Sequence, residues 1–138
     1  MRYLGLDLGS RTLGVSISDQ GGVLANSLNT IHHNEDYSFL IQKVCELVST
    51  YEVDAIVLGF PKNMNNTIGP KGELSLHFKE ELEKKLSIPI FLQDERLTTK
   101  SAHDVLIMGN MSRKKRKKVV DSVAATIILQ SYLDREVK

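Results

Sequence analysis

The chain has 138 residues, of which 41% are hydrophobic, and its formal net charge is +1. This length and apolar content predict one ordinary domain over residues 1–138, large enough to bury a core of its own. No apolar run approaches the roughly 18 residues of a membrane-spanning helix, and Met1 leads into a strand pattern without a signal peptide, so we expect a cytoplasmic protein. The single cysteine, Cys45, lies at helical spacing among apolar residues, which indicates a core position rather than a disulfide or zinc site.

The first part of the chain predicts three strands joined by short turns. Strand patterns occur near 2–8, 12–18 and 23–31, and the turn sequences "SRT" and "DQGG" separate them. Connections this short predict an antiparallel meander. After Asp36, apolar residues at helical spacing predict an amphipathic helix that extends to Tyr51.

The second part of the chain alternates strands with helices. "DAIVLGF" is continuously apolar, which is typical of a strand buried on both faces in a parallel sheet. A glycine- and asparagine-rich loop leads into a charged helix at about 73–86, and "IPIFLQ" predicts another short buried strand. Two helices follow, at about 99–108 and 117–135. The resulting order, βββαβαβαα, predicts one mixed sheet with helices packed on its faces.

Asp7 is a carboxylate in the most apolar part of the first predicted strand. A charge inside a sheet core costs several kcal/mol unless it is paired, hydrogen-bonded or bound to metal. Gly5 and Gly9 leave the backbone bare on both sides, which suits close approach by another group. The alternative is a strand-end Asp whose side chain caps the turn at residues 10–12.

Further acids occur at comparable places in the predicted fold. Asp94 and Glu95 follow the last predicted strand, and Asp121 shares a helix face with Ala125 and Ile128. Mutual repulsion among such acids would raise their pKa values unless cations neutralise them. Oxygen-only ligands select hard ions, so the sequence predicts a magnesium (Mg2+) or manganese (Mn2+) site.

Residues 113–118 read "RKKRKK", six cations in a row. Such a run is usually a solvated, mobile segment. Beside an acidic site it also suggests a polyanionic partner, and the sequence alone leaves both interpretations open.

Four motifs in order, "GLDLGSRTLGVSISD", "GFPKNMNNTIGPKGE", "DERLTT" and "VDSVAATIILQ", resemble those of the YqgF family. This family is called Holliday junction resolvase-like and is described as pre-16S ribosomal RNA nucleases. The resemblance covers essentially the whole chain. It implies a ribonuclease H-like α/β fold, with a mixed five-stranded sheet of three antiparallel and then two parallel strands. Asp7, Glu95 and Asp121 match the family's acidic triad, whereas Asn66 and Thr67 depart from the more Asp-Gly-like turn expected there.

The resemblance implies metal-dependent hydrolysis of phosphodiester bonds, in processing of the 5′ end of pre-16S rRNA. Two cations about 4 Å apart, bridged by Asp7, would hold the scissile phosphate. Asp94 would either begin the turn after the last strand or help to hold a metal-ligating side chain in place. The residues expected to contact the nucleic acid are Asn63, Arg96, Lys114, Lys115 and Lys117. For Arg96 the alternative is an ion pair with the neighbouring acids.

Other functions share parts of this pattern. The same acids would serve a resolvase that acts on branched DNA, and a non-catalytic RNA-binding assembly factor could retain the fold. "DLGSRTLGV" also resembles the first phosphate loop of sugar kinases and actin-like ATPases, but those proteins need a second lobe, for which 138 residues leave no room.

Overall fold

A computed structural model describes residues 1–61, 67–94 and 113–136, and in the last of these segments it describes the side chains of residues 123–135. None of the described helices is both long enough and apolar enough to cross a membrane. In the described residues the elements are β1 (Tyr3–Leu8), β2 (Thr12–Ser18), β3 (Ala25–His32), α1 (Tyr37–Tyr51), β4 (Ala55–Phe60), α2 (Pro70–Lys85), β5 (Ile90–Asp94) and α3 (Arg113–Glu136).

The five strands form one sheet in the order β3-β2-β1-β4-β5. Strand β1 pairs antiparallel with β2, and β2 pairs antiparallel with β3. On the other side, β1 pairs parallel with β4, and β4 pairs parallel with β5. The predicted mixed sheet, with an antiparallel meander followed by two parallel strands, is therefore confirmed.

Helices cover both faces of the sheet. Leu4, Leu6 and Leu8 of β1 point into a core that includes buried residues of α1 and α2. Tyr3, at the alternate position of β1, packs with Ile128 and other residues of α3 on the opposite face. Strand β4 is buried at all of its positions, as expected for a central strand between two helical layers.

Helix α1 begins where the sequence predicts it. The Asp36 carboxylate accepts a hydrogen bond from the Phe39 backbone N–H at 3.1 Å, which satisfies one of the unpaired donors of the first turn. The helix ends before Glu52, which has a left-handed backbone (φ 53°) and donates its N–H to the Val48 carbonyl. Cys45, on the same helix, is half-buried and packs against the core, which agrees with its predicted role.

Some element boundaries differ from the prediction. Helix α2 begins at Pro70 rather than near residue 73, because proline has a backbone angle suited to the first helical position and needs no hydrogen-bond acceptor there. Strand β3 begins at Ala25 rather than near residue 23. The reason is that the Asp19 carboxylate accepts the N–H groups of Val23 and Leu24, at 2.8 and 3.3 Å, and holds them in the turn.

Helix α3 begins at Arg113 rather than near residue 117, so the basic run has a helical backbone. Arginine and lysine are good helix formers, and neither glycine nor proline interrupts the run. Both interpretations of this run, a solvated segment or a contact with a polyanion, stay predictions, because its side chains lie outside the described residues. The predicted helix at about 99–108 lies outside the described residues.

Hydrogen bonds join α3 to the antiparallel half of the sheet. The Ser16 hydroxyl of β2 donates to the Ala125 carbonyl at 2.8 Å. The Gln130 side chain accepts from the Ala25 N–H and donates to the Val23 carbonyl, both at 2.9 Å. Because these contacts involve two neighbouring parts of the sheet, they set both the position and the rotation of α3.

Candidate active site

The carboxyl ends of β1, β4 and β5 lie at one edge of the sheet, because these three strands are parallel and adjacent. Asp7 is the last but one residue of β1, and Asp94 is the last residue of β5. Loops that leave such an edge commonly carry binding and catalytic residues. The segments that follow β4 and β5 contain the sequence-predicted residues Asn63, Glu95 and Arg96, which lie outside the described residues.

Asp7 is half-buried and lies on the face of the sheet that α3 covers. Side chains alternate along a strand, so Asp7 shares this face with Tyr3 and Gly5. A Cβ atom at Gly5 would lie 2.8 Å from the Leu129 Cβ and 3.1 Å from the Ala125 carbonyl oxygen. Gly5 therefore lets the α3 backbone approach the sheet closely, immediately beside Asp7.

Helix α3 runs in the opposite direction to β1. At one end, the rings of Tyr3 and Tyr132 are 6.0 Å apart, and further along β1, Gly5 meets Ala125. From Tyr3 to Asp7 the strand advances about 13 Å. From Tyr132 back to Asp121 the helix advances about 16 Å in the same direction. The helical backbone at Asp121 thus lies toward the end of β1 that holds Asp7.

Asp7 has no side chain beside it on either neighbouring strand. Gly14 of β2 is its direct partner in the antiparallel register. On the other side, the parallel register pairs Leu6 with Leu58, so the next residue of β4, Gly59, is the neighbour of Asp7. Gly59 is in turn paired with Gln93 of β5. The row Gly14, Asp7, Gly59, Gln93 therefore contains two polar side chains, and the residue between them, Gly59, is buried and has no side chain.

Two buried polar residues near Asp7 were not among the predicted site residues. Gln93 is only 8% exposed, and its presence in the apolar sequence "IPIFLQ" was a signal of the same kind as Asp7. His33 accepts the Glu35 N–H at its Nδ1 atom at 3.0 Å, and its Nε2 atom lies 3.2 Å from the Gly9 carbonyl oxygen. It supports the loop after β1, and no local sequence pattern marks it.

The remaining predicted residues are distributed as follows. Asp94 is the last residue of β5, and strand alternation places it on the opposite face of the sheet from Gln93 and Asp7. The residues that would form the turn after it lie outside the described part. Four residues have a helical backbone in α3, while their side chains lie outside the described part: Lys114, Lys115, Lys117 and Asp121.

The donors of the predicted triad suit a hard divalent cation, because each is a carboxylate. Asp7 is the member whose side chain is described, and its neighbours on both adjacent strands are glycines. Among the side chains that the structure describes, no three histidine, cysteine or acidic residues gather as a set of metal ligands. The other two members of the triad, Glu95 and Asp121, have side chains outside that part of the structure.

Comparisons with known proteins place the chain in a family. A family model described as "RuvX: Holliday junction resolvase" matches residues 1–135. A protein named "Putative pre-16S rRNA nuclease" from Geobacillus sp. (strain WCH70) is 51% identical over 135 residues, covering 97% of this chain and 98% of its own. A protein of the same name from Bacillus subtilis (strain 168) is 53% identical over 137 residues, with coverage of 97% and 98%.

Among solved structures, "T. thermophilus RuvC in complex with Holliday junction substrate" matches with a TM-score of 0.63 and 15% identity, covering 100% of this chain and 97% of that one. At this identity the likeness shows a shared fold, the ribonuclease H-like fold expected from the motifs. The family model spans nearly the whole chain, and both relatives are more than 50% identical to it in sequence. The chain therefore belongs to the RuvX family, whose description is Holliday junction resolvase.

Proposed function

We propose that this protein is a single-domain, metal-dependent nuclease of the cytoplasm that hydrolyses phosphodiester bonds at the 5′ end of the 16S rRNA precursor. The observation that carries the proposal is the position of Asp7. It is half-buried at the carboxyl end of β1, between two glycine positions, on the face covered by the helix that contains Asp121. The names of the half-identical relatives support the same activity and substrate.

Asp7, Glu95 and Asp121 would hold magnesium or manganese. A divalent cation at such a site makes water a nucleophile near neutral pH and stabilises the negative charge that develops on the leaving oxygen. Asp7 would contribute a ligand from a strand whose backbone is held by paired neighbours on both sides. Asp121 contributes from α3, whose position on the sheet is set by the contact between Ser16 and Ala125.

The substrate phosphates would contact basic and amide side chains around this edge. Lys114, Lys115 and Lys117 occupy the first turns of α3, within two turns of Asp121. Cations at this place attract the phosphate backbone without reading its sequence. Arg96 and Asn63 follow the ends of β5 and β4, and we assign them to contacts with the strand that is cut.

Hydrolysis of branched DNA is the second candidate function. The description of the family and the shared fold with RuvC favour it. The two functions require the same acids and the same cations, so they differ in substrate rather than in chemistry. Depletion of the protein in cells separates them: RNA processing predicts extended 16S rRNA 5′ ends, whereas normal ends with accumulated recombination junctions would favour branched DNA.

The metal dependence is tested on the purified protein. We expect magnesium or manganese to raise the melting temperature, because ligands that bind only the folded state stabilise it. A hundredfold excess over Kd adds about 2.7 kcal/mol, which corresponds to about 9 °C for a chain of this length. Asp7→Asn is expected to abolish this shift together with cleavage of a 5′-extended 16S RNA fragment. Cleavage by the wild type in excess chelator would contradict the mechanism.

A further inference from the structure

Gln93 is a buried polar residue whose amide oxygen lacks a partner. The residue is 8% exposed, and its Oε1 atom makes no hydrogen bond within the described structure. Most buried polar atoms are hydrogen-bonded, and each exception requires a physical explanation. An unpaired acceptor is costly because the water lost on burial is not replaced. A side chain kept at such a cost is a candidate for a role in binding.

The position of Gln93 relates this oxygen to Asp7. The ring of Phe91, two residues earlier on β5, stacks on Tyr132 of α3 at 5.4 Å, so Gln93 also lies on the α3 face. Gln93 is paired with Gly59, which is the neighbour of Asp7 on β4. Two strand spacings of about 4.8 Å therefore separate Asp7 from Gln93, and the residue between them has no side chain.

An acceptor oxygen beside a phosphate site requires a donor. The phosphate and ring oxygens of a nucleic-acid backbone accept hydrogen bonds and do not donate them. The ribose 2′-OH can donate, and it is present in RNA but absent from DNA. We infer that the Gln93 amide oxygen accepts a hydrogen bond from the 2′-OH of a nucleotide next to the scissile phosphate. Gln93 thereby favours RNA over DNA at this site, an inference that rests on the proposed nuclease function.

The test combines one protein change with one substrate change. Gln93→Met keeps the length of the side chain and removes the acceptor. Gln42→Met is the matched control, because Gln42 is exposed on α1, in the helical layer on the other face of the sheet. The substrates are a 5′-extended 16S RNA fragment and versions with a single 2′-deoxy nucleotide at each position around the cut. Binding is measured by fluorescence anisotropy, and cleavage is measured as kcat/KM.

For the wild type and Gln42→Met, we expect one 2′-deoxy position to weaken binding and cleavage by roughly 2- to 12-fold, the range for one hydrogen bond. For Gln93→Met the same replacement is expected to have no effect. The melting temperature of Gln93→Met is expected to equal or exceed that of the wild type, because the variant removes an unpaired buried oxygen. A structural glutamine would show the opposite change in stability.

Three results would overturn the inference. The first is that a 2′-deoxy nucleotide weakens binding and cleavage equally in the wild type and in Gln93→Met. The second is an equal weakening of RNA and DNA binding by Gln93→Met, which would indicate a contact with a cation or phosphate common to both. The third is preferential binding of a four-way DNA junction by the wild type. Failure of the wild type to cleave any nucleic acid with added metal would instead refute the nuclease function, and the anisotropy measurements would still test Gln93.

Discussion

Replacement of Gly5 by alanine tests how closely α3 must approach the sheet at the candidate site. An alanine Cβ would lie 2.3 Å from the Ser16 Oγ and 2.8 Å from the Leu129 Cβ. To regain an ordinary contact of 3.4 Å, the Leu129 atom would have to retreat by about 0.6 Å, and it belongs to a packed helix. The Ser16 hydroxyl would have to rotate and lose its hydrogen bond to α3.

The expected loss of stability follows from these contacts. Overpacking of a core costs about 1–3 kcal/mol, and loss of one hydrogen bond costs about 1 kcal/mol. Alanine recovers about 0.5–1 kcal/mol because it loses less backbone entropy than glycine in a strand. We expect Gly5→Ala to destabilise the protein by about 2 kcal/mol, a fall of about 7 °C in melting temperature for this length.

Thermal unfolding followed by circular dichroism measures the effect. Gly21→Ala is the control, because a Cβ there meets no atom nearer than 3.8 Å, and it is expected to change stability by less than about 0.5 kcal/mol. Ser16→Ala combined with Gly5→Ala removes the shortest contact but not the one with Leu129, so recovery should be partial. Equal melting temperatures for Gly5→Ala and Gly21→Ala would refute the close approach of α3.

Three further outcomes are expected. Replacing Lys114, Lys115 and Lys117 by Gln should weaken RNA binding and flatten the slope of log affinity against log salt by up to about two units; an unchanged slope would exclude these lysines from the binding surface. Asp121→Asn should retain RNA binding in anisotropy while losing turnover, whereas loss of both would show that metal and RNA bind together. Hydrogen bonds from the N–H groups of the β2–β3 turn lower the pKa of Asp19 below its ordinary 3.8. The stability advantage of the wild type over Asp19→Asn should therefore be complete above pH 3.8 and decline as the pH falls below it, and a pH-independent difference in urea unfolding would contradict this.

The parts of the fold that could be predicted are those with a local physical cause. Strand β4 is recognisable because both of its faces are buried, which requires an unbroken apolar sequence. Helix α1 has a capping aspartate at its first turn. Asp7 is conspicuous because a carboxylate among leucines demands a partner. The two helix starts that the sequence pattern predicts too late also have local causes: Pro70 suits the first helical position, and the lysines and arginines from residue 113 onward are good helix formers.

The parts that could not be predicted depend on register. Gln93 is visible in the sequence as a polar residue in an apolar strand, but its relation to Asp7 emerges only when β5 is paired with β4 and Gly59 is seen to separate the two. A shift of one residue in either pairing would place the glutamine on the other face, and the sequence does not determine that choice. His33 likewise acquires a role only through its contact with the Gly9 loop, which is distant along the chain.

The contacts of Gln130 with the β2–β3 turn have a consequence for residues that are far from them. Sliding α3 by one residue would move its side chains by about 1.5 Å and rotate them by about 100°. Such a slip would turn residue 121 about the helix axis by the same angle. Two of the hydrogen bonds that oppose it are made about 14 Å away along this axis. A substitution at Gln130 would therefore loosen the placement of the helical backbone at Asp121 without altering any residue of the predicted triad.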